Sequence, residues 1–428
     1  MHRSAAEGSP VCYCAAIHHP TITGAGARHR SMKAAPDQLK WVIDDVIPHT
    51  AALQALMGDV TVLPGRDITP ATISDADILL VRSITPVNES LLAASSVQFV
   101  GTATAGVDHF DIEAIERLGV VWSAAPGSNA VSVVEYVLGA LATSGWLERV
   151  ISGCPVGLVG LGQVGERLAR RLLHLGCQVL AYDPLRAGWP SDIHRVELDE
   201  ILRQPVISLH ANLHDQNAHA SRGLLNADRA GQMIAALSER EDGGLFINAG
   251  RGDLMTIEAL RRLVDSPWTV VLDTWPGEPS LSAELLSLCD WVSPHIAGHS
   301  IKARENGSDL LAEAVARWAG VEVATSTELV NQDGSAVTGQ TSGAECAAAD
   351  SEVTAWMAEF LRQQSILPRE DARLREVAAA GLTSLEFDQL RKSYQQPAEW
   401  TGQRVTIPVS DGGHRAAAER LGLKVASE

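Results

Sequence analysis

Val156-Gly157-Leu158-Val159 runs without a break into Gly160-Leu161-Gly162-Gln163-Val164-Gly165, and no other stretch of the chain constrains the fold as strongly. A short apolar run that ends in glycine reads as a buried strand. Glycines in this spacing permit a tight turn at Gly160, close approach of backbone to a ligand at Gly162, and close packing of helix on strand at Gly165. The next residues place Val164, Leu168, Leu172 and Leu175 on one side of a helix whose N-terminus offers N–H donors and a positive dipole end to phosphates. A glycine-rich turn can also be merely structural, but here strand, turn and helix occur together. The following strand, Gln178 to Tyr182, ends in Asp183, eighteen residues after Gly165. A carboxylate there accepts ribose hydroxyls and repels the extra phosphate of NADP. Arg186 argues the other way, and Asp183-Pro184 could be a simple turn.

The surrounding pattern is that of an α/β protein with two doubly wound parallel sheets. Apolar strands are expected at Leu39 to Ile43, Val60 to Leu63, Ile78 to Val81, Val97 to Val100 and Val120 to Trp122, alternating with helices. A helix from about Ala130 to Leu147 carries Val133, Val134, Val137, Leu138 and Leu141 on one face. A second sheet takes Pro155 to Val159, Gln178 to Tyr182, Val206 to His210, Gly244 to Asn248, Val270 to Leu272 and Trp291 to His295. Residues 323–349 drift to Ser, Thr, Gly and Ala and read as a linker. Residues 350–428 are expected to form a small third α/β unit: helix, helix, strand, helix, strand. Residues 1–38 lack periodicity and read as a disordered extension, with Met32 a candidate natural start.

A length of 428 residues with 46% hydrophobic content suits two or three domains. A net charge of -18 excludes nucleic acid and anionic membrane as general partners, so an anionic substrate needs a locally basic pocket. The six cysteines, Cys12, Cys14, Cys154, Cys177, Cys289 and Cys346, form no zinc-like pattern and suit a reducing, cytoplasmic setting. The Cys12, Cys14, His18 and His19 cluster is the one place where a metal could be imagined, and no metal site is expected. No run approaches the ~20 apolar residues of a membrane span.

Three segments at the carboxyl ends of expected strands carry isolated polar residues, where ligands of open α/β sheets bind. They are Asn248-Ala249-Gly250-Arg251-Gly252, Asp273-Thr274-Trp275-Pro276-Gly277-Glu278-Pro279 and Ser293-Pro294-His295-Ile296-Ala297-Gly298. Oxidising a secondary alcohol needs a base for the hydroxyl proton, which a histidine supplies near neutral pH. An orienting carboxylate raises its basicity, and an arginine clamps a carboxylate and polarises a carbonyl. Singly, each residue could equally be a helix cap, a turn residue or a core histidine. In order and spacing, together with the glycine fingerprint, the segments resemble the D-isomer-specific 2-hydroxyacid dehydrogenases. The resemblance implies Arg251, Glu278 and His295 as the catalytic set. It also implies NAD as cofactor, held by Gly160, Gly162, Gln163, Val164, Gly165, Asp183, Ala211, Asp273 and Gly298. Residues 39–129 with 296–322 would bind substrate, and 130–295 would form the Rossmann NAD-binding domain.

Further stretches are similar to a branch of that family acting on a small phosphorylated hydroxy acid: Leu63-Pro64-Gly65-Arg66, Val81-Arg82-Ser83, Gly101-Thr102-Ala103-Thr104-Ala105-Gly106 and Ser123-Ala124-Ala125-Pro126-Gly127. So is the tail, through Glu386-Phe387-Asp388 and Leu390-Arg391-Lys392-Ser393-Tyr394. This implies a homodimer with residues 350–428 as dimerisation domain. It also implies substrate contacts at Arg82, Ser83, Thr104 and His299, with Arg82 beside a distal phosphate. The chain departs from the branch at Ala211-Asn212 for Thr-Pro, Gly250 for Cys and His299 for Tyr. His210, His214 and His219 read as loop or surface residues. Two alternatives stay open: a sister enzyme of the phosphoglycerate or hydroxypyruvate type, and a non-catalytic NAD-sensing protein on the same fold.

Overall fold

The computed structural model describes residues 35–215, 219–238, 240, 242–324, 351–408 and 410–426. The early Cys and His cluster and nearly all of the expected linker lie outside the described residues. The expected extension is corrected at its end. Pro36–Gln38 forms a 3-10 turn, with Pro36 buried because its carbonyl accepts the Trp41 indole N–H at 3.0 Å.

Strands β1 (Lys40–Asp44), β2 (Asp59–Leu63), β3 (Ile78–Val81), β4 (Phe99–Thr102) and β5 (Val121–Ser123) form a parallel sheet in the order β2-β1-β3-β4-β5. The order reverses between β1 and β3, and their carboxyl ends therefore border a crevice. One face is covered by the helix Ile301–Ala319, which returns after the second sheet and packs Leu311 and Val315 against Trp41, Ile43 and Phe99. Gly101 makes room for it: a Cβ there would come 2.9 Å from Leu311 Cδ2.

The second sheet contains β6 (Val156–Val159), β7 (Val179–Tyr182), β8 (His194–Arg195), β9 (Val206–Leu209), β10 (Gly244–Asn248), β11 (Trp268–Leu272) and β12 (Trp291–Val292). All pairings are parallel in the order β12-β11-β10-β9-β6-β7-β8, which puts the reversal between β6 and β9. The central strands are buried along their whole length, as fully covered parallel strands must be. The expected single helix stops at Thr143, and Gly145 at φ 70 turns the chain into a separate helix, Leu147–Ile151.

The C-terminal unit has three helices before its first strand, not two: Ser351–Gln364, Leu367–Gly381 and Ser384–Lys392. Gly381 at φ 108 ends the second, and Thr383 with Glu386 forms a capping box that starts the third. Strands β13 (Arg404–Thr406) and β14 (Lys424–Ala426) then pair in parallel across the helix Gly412–Arg420. Within the chain this unit packs on the second sheet's lobe. Met357, Leu361, Leu367 and Trp400 share a core with Val133, Val137 and Leu141, while Leu374, Phe387 and Leu390 join the core under β10 and β11.

Candidate active site

The glycine fingerprint occupies the reversal point of the second sheet. Gly160 follows β6 at φ 90, and a Cβ on it would lie 2.4 Å from the Ala211 nitrogen after β9, so only glycine closes this turn. At Gly165 a Cβ would overlap the Gly160 carbonyl, which is the close helix-to-strand contact expected of that position. Gly162, by contrast, faces open space ahead of the helix Gln163–His174. Asp183 stands at the tip of β7 with its carboxylate fixed by the Leu161 N–H at 2.9 Å and the Leu185 N–H at 3.1 Å. Arg186, whose side chain is 7% exposed, is held by Glu166 at 2.5 Å and by the Leu161 carbonyl. It is therefore committed to the protein and not displayed as a receptor for a second phosphate. Gly298 admits Asn129, whose Nδ2 would sit 2.4 Å from any Cβ there. Gln163 and Val164 start the helix and are half-buried.

His295 and Glu278 come together at the carboxyl edge of β11 and β12. His295 Nδ1 and Glu278 Oε1 are 2.5 Å apart, and Glu278 Oε2 accepts the Trp275 N–H at 3.2 Å. Burial alone would raise the Glu278 carboxyl, but the charge and hydrogen bond of His295, with the Trp275 N–H, hold it below its ordinary value. His295 adopts φ 55, a left-handed conformation that non-glycine residues seldom take, with its N–H bonded to the Asp273 carbonyl at 2.8 Å. Asp273, 1% exposed, pins the same loop: it accepts Ser293 Oγ at 2.6 Å, the Ile296 N–H at 2.8 Å and the Ala297 N–H at 3.0 Å. Only a fraction of its acceptor capacity is left for a nicotinamide amide.

Arg251 follows β10 and reaches toward the first lobe. Asn248 Nδ2 donates to its carbonyl at 3.0 Å, and its guanidinium reaches the first lobe, with Nε 3.1 Å from Asp108 Oδ2. Gly106 leaves room for it, because a Cβ there would collide with Arg251 Nη2. Thr104 Oγ1 lies 2.7 Å from Thr102 Oγ1 and donates to the Gly106 carbonyl at 2.8 Å. Arg82 and Ser83 follow β3 at the first sheet's reversal point, with Ser83 exposed and Arg82 half-buried. Burial, then the neighbouring Arg304, push the Arg82 guanidinium down to about 10. His299 is driven well below its ordinary value by burial and by Arg391, Arg82, His295 and Arg304. Arg304 and Arg391 thus join the cleft; no sequence signal marked Arg304, and Arg391 stood in a stretch read only as part of the dimerisation domain. The reading of His210 as a loop or surface residue is corrected: it is buried beside Gly165 and Gly250, bonded to Ser208 Oγ at 2.9 Å, and lowered to about 4 by burial. Among the described residues no group of His, Cys, Asp and Glu is placed to hold a metal ion, and no helix is long and apolar enough to cross a membrane.

With this geometry in view, comparison with known proteins is informative. Residues 42–331 match the family model of the D-isomer specific 2-hydroxyacid dehydrogenase catalytic domain. The chain is 36% identical over 391 residues to a Cronobacter sakazakii protein named erythronate-4-phosphate dehydrogenase, covering 90% of this chain and 98% of that one. A Teredinibacter turnerae protein of the same name is 37% identical over 374 residues, covering 86% and 95%. Among solved structures, a glyoxylate reductase from Paecilomyes thermophila superposes with a TM-score of 0.54 at 22% identity, covering 67% of this chain and 97% of that one. An NAD-bound 3-phosphoglycerate dehydrogenase from Entamoeba histolytica gives 0.52 at 21%, covering 65% and 93%. At those identities the structural matches speak for the fold alone.

Proposed function

The chain belongs to the D-isomer specific 2-hydroxyacid dehydrogenase family, and from that premise we propose that it oxidises 4-phospho-D-erythronate at C2 to 2-oxo-3-hydroxy-4-phosphobutanoate with NAD, a step toward vitamin B6. The name of the curated relatives supports the substrate, and one observation on this chain carries it: besides a histidine–carboxylate pair the chain has two separate basic groups, Arg251 reaching to the first lobe and the Arg82 cluster beside His299. A molecule with an anion at each end fits that layout, whereas a monoanionic hydroxy acid leaves one receptor idle.

The dinucleotide fits the residues present. The open space before Gly162, the backbone-fixed Asp183 carboxylate and the committed Arg186 suit NAD better than NADP. Bound there, NAD supplies the hydride acceptor. In our reading Arg251 exchanges its pairing with Asp108 for the substrate carboxylate, gaining a partner in a drier site. His295 has Nδ1 occupied by Glu278, so Nε2 takes the C2 hydroxyl proton, and Glu278 stabilises the resulting imidazolium. Asp273 acts on the histidine by holding its loop. This acid–base pair favours an enzyme over an NAD-sensing protein, which needs no proton acceptor. The deciding measurement is NADH formation with 4-phosphoerythronate, erythronate, 3-phosphoglycerate and glycerate. A preference for 3-phosphoglycerate would overturn the substrate in favour of the sister-enzyme reading.

The same reading includes a cytoplasmic homodimer using residues 350–428, whose exposed Leu385, at 76%, is available for a subunit contact. Light scattering is expected to give two chains, and a fully active monomer would refute it.

A further inference from the structure

We propose that Arg82, Arg304 and Arg391 together form the receptor for the substrate's distal phosphate, so that the C-terminal unit contributes a specificity-determining side chain to the active site. This rests on the phosphorylated-acid reading above. The three residues are far apart in the chain: Arg82 follows β3, Arg304 lies in the first turns of the helix Ile301–Ala319, and Arg391 is near the end of the helix Ser384–Lys392. Arg82 follows β3, at the carboxyl edge where the order of the first sheet reverses. The other two elements are tied to that edge: Asp388, on the helix that carries Arg391, pairs with Arg66 after β2, Gln396 holds Arg304, and the His299 and Tyr394 rings lie 6.3 Å apart between them.

Their bonding is incomplete in a way that points outward to a ligand. Among the described residues neither the Arg82 nor the Arg391 guanidinium has a hydrogen-bond or ion-pair partner, and Arg391 Nε is shut off from solvent with no acceptor. A buried guanidinium nitrogen left unpaired is costly, so a fold retaining one beside a crevice has an acceptor to place there. Arg304 is fixed from behind. With its amide oriented to suit its neighbours, Gln396 Oε1 accepts Arg304 Nε at 2.9 Å and Nη1 at 3.1 Å, leaving Nη2 uncommitted.

Charge balance points the same way. Arg82 feels both Arg304 and Arg391 as repulsive neighbours, and the carboxylates in range of the cluster, Asp44, Asp45 and Glu278, hydrogen-bond to none of the three. Asp44 Oδ1 is taken by the Val46 N–H, and Glu278 by His295. Three guanidinium groups offer planar forks to the three terminal oxygens of a phosphate monoester, a dianion that removes the mutual repulsion. His299, surrounded by these arginines and kept neutral by burial first of all, adds a donor without further charge. Arg391 also influences both Glu278 and His299, so the receptor adjoins the catalytic pair, as a four-carbon acid with its anions at opposite ends requires.

The test compares full-length wild type, Arg391→Gln, Arg391→Lys and Arg304→Gln. Steady-state kinetics with 4-phosphoerythronate and erythronate are measured beside titration with inorganic phosphate, and melting and NAD binding certify folding. A lost charged hydrogen bond corresponds to roughly 10- to 100-fold. Arg391→Gln should therefore lower the ratio of kcat/KM for the phosphorylated over the unphosphorylated acid by about that factor and weaken phosphate binding in parallel. Arg391→Lys should recover part of both, and Arg304→Gln should repeat the pattern from a different element. Equal losses on the two acids, with the ratio and phosphate affinity unchanged, overturn the receptor while leaving the dehydrogenase reading intact. A wild type that ignores 4-phosphoerythronate but binds phosphate in an Arg391-dependent way upholds the receptor and sinks the substrate.

Discussion

At the scale of single residues the proposed chemistry rests on a short contact, His295 Nδ1 to Glu278 Oε1 at 2.5 Å, presented by a loop that Asp273 pins through three donors. Replacing His295 with Asn removes the proton acceptor without touching the glycine turn or Asp183. Turnover should fall about 10²–10⁴-fold while NAD binding, read by fluorescence titration, stays near wild type. Near-normal turnover across pH would take His295 out of the mechanism. Glu278→Gln tests the partner. Its Oε1 is the one acceptor that holds His295 Nδ1, so without the carboxylate the ring loses its orientation and kcat should fall while NAD binding is kept. An unchanged kcat would reduce Glu278 to a packing role. The Glu278 shift also has a stability sign. A depressed carboxyl contributes stability above its ordinary value of 4.5 and loses it as pH falls through the lower folded value. The three positions proposed as catalytic stood out in the sequence because each occupies a distinctive segment at a strand end, and the structure brings two of them, His295 and Glu278, into contact. Arg304 did not stand out, and Arg391 was marked only as part of a dimerisation segment, since nothing local distinguishes an arginine that packing will leave without a partner from one on an exposed helix face.

Among the elements, strands were the most readable, because those buried on both faces must be continuous apolar runs; Ile78–Val81 and Gly244–Asn248 fall where expected. The exposed two-residue edge strand His194–Arg195 offered no such run, whereas the extra C-terminal helix was announced by the Thr383-x-x-Glu386 capping box and was passed over in the sequence. Two elements carry predictions. The tip of β7 holds Asp183 in place through backbone, so it cannot swing away from a 2′-phosphate, and catalytic efficiency with NADP should be at least ~100-fold below that with NAD. Equal use of both cofactors would remove Asp183 as discriminator. The other is the seam between the helix Ala130–Thr143 and the C-terminal unit, where Glu135 accepts the Trp400 N–H at 3.1 Å and the Thr401 N–H at 2.7 Å. Burial, aided by Glu399, pushes its carboxyl from 4.5 up to about 7 against those bonds. The folded chain then binds this proton more tightly than the unfolded one, so its contribution is full below pH 4.5 and is lost as pH rises to about 7. Glu135→Gln should remove that loss, gaining up to about 3 kcal/mol on wild type between pH 5 and pH 8 in denaturant midpoints. A mutant-to-wild-type difference independent of pH would refute the seam as the source.

For the whole molecule, the question is whether the C-terminal unit is an appendage or part of the enzyme's fold. Its apolar residues do not form a core of their own: Met357, Leu361 and Leu367 complete one core of the second lobe, and Leu374, Phe387 and Leu390 complete the other. Polar ties run the same way. Arg375 donates to the Cys289 carbonyl at 2.7 Å and the Leu286 carbonyl at 3.2 Å, closing the end of the helix Ala283–Leu288, and Asp371 accepts the Val292 N–H at 2.9 Å at the sheet edge. Burying a side chain of that size is worth about 1.5–3 kcal/mol, so losing those six removes roughly 9–18 kcal/mol, comparable with the whole net stability of a typical domain. A chain ending at residue 324 should therefore fail to melt cooperatively and should not bind NAD, even though the entire glycine fingerprint, Asp183 and the catalytic trio remain in it. Differential scanning calorimetry with and without NAD makes the comparison. If the shortened chain were soluble, showed a sharp transition and gained stability from NAD, the unit would be separable and its packing on the second lobe incidental. If it fails as expected, the same packing that completes the two cores also places Arg391 in the cleft, and folding and substrate selection depend on one set of contacts.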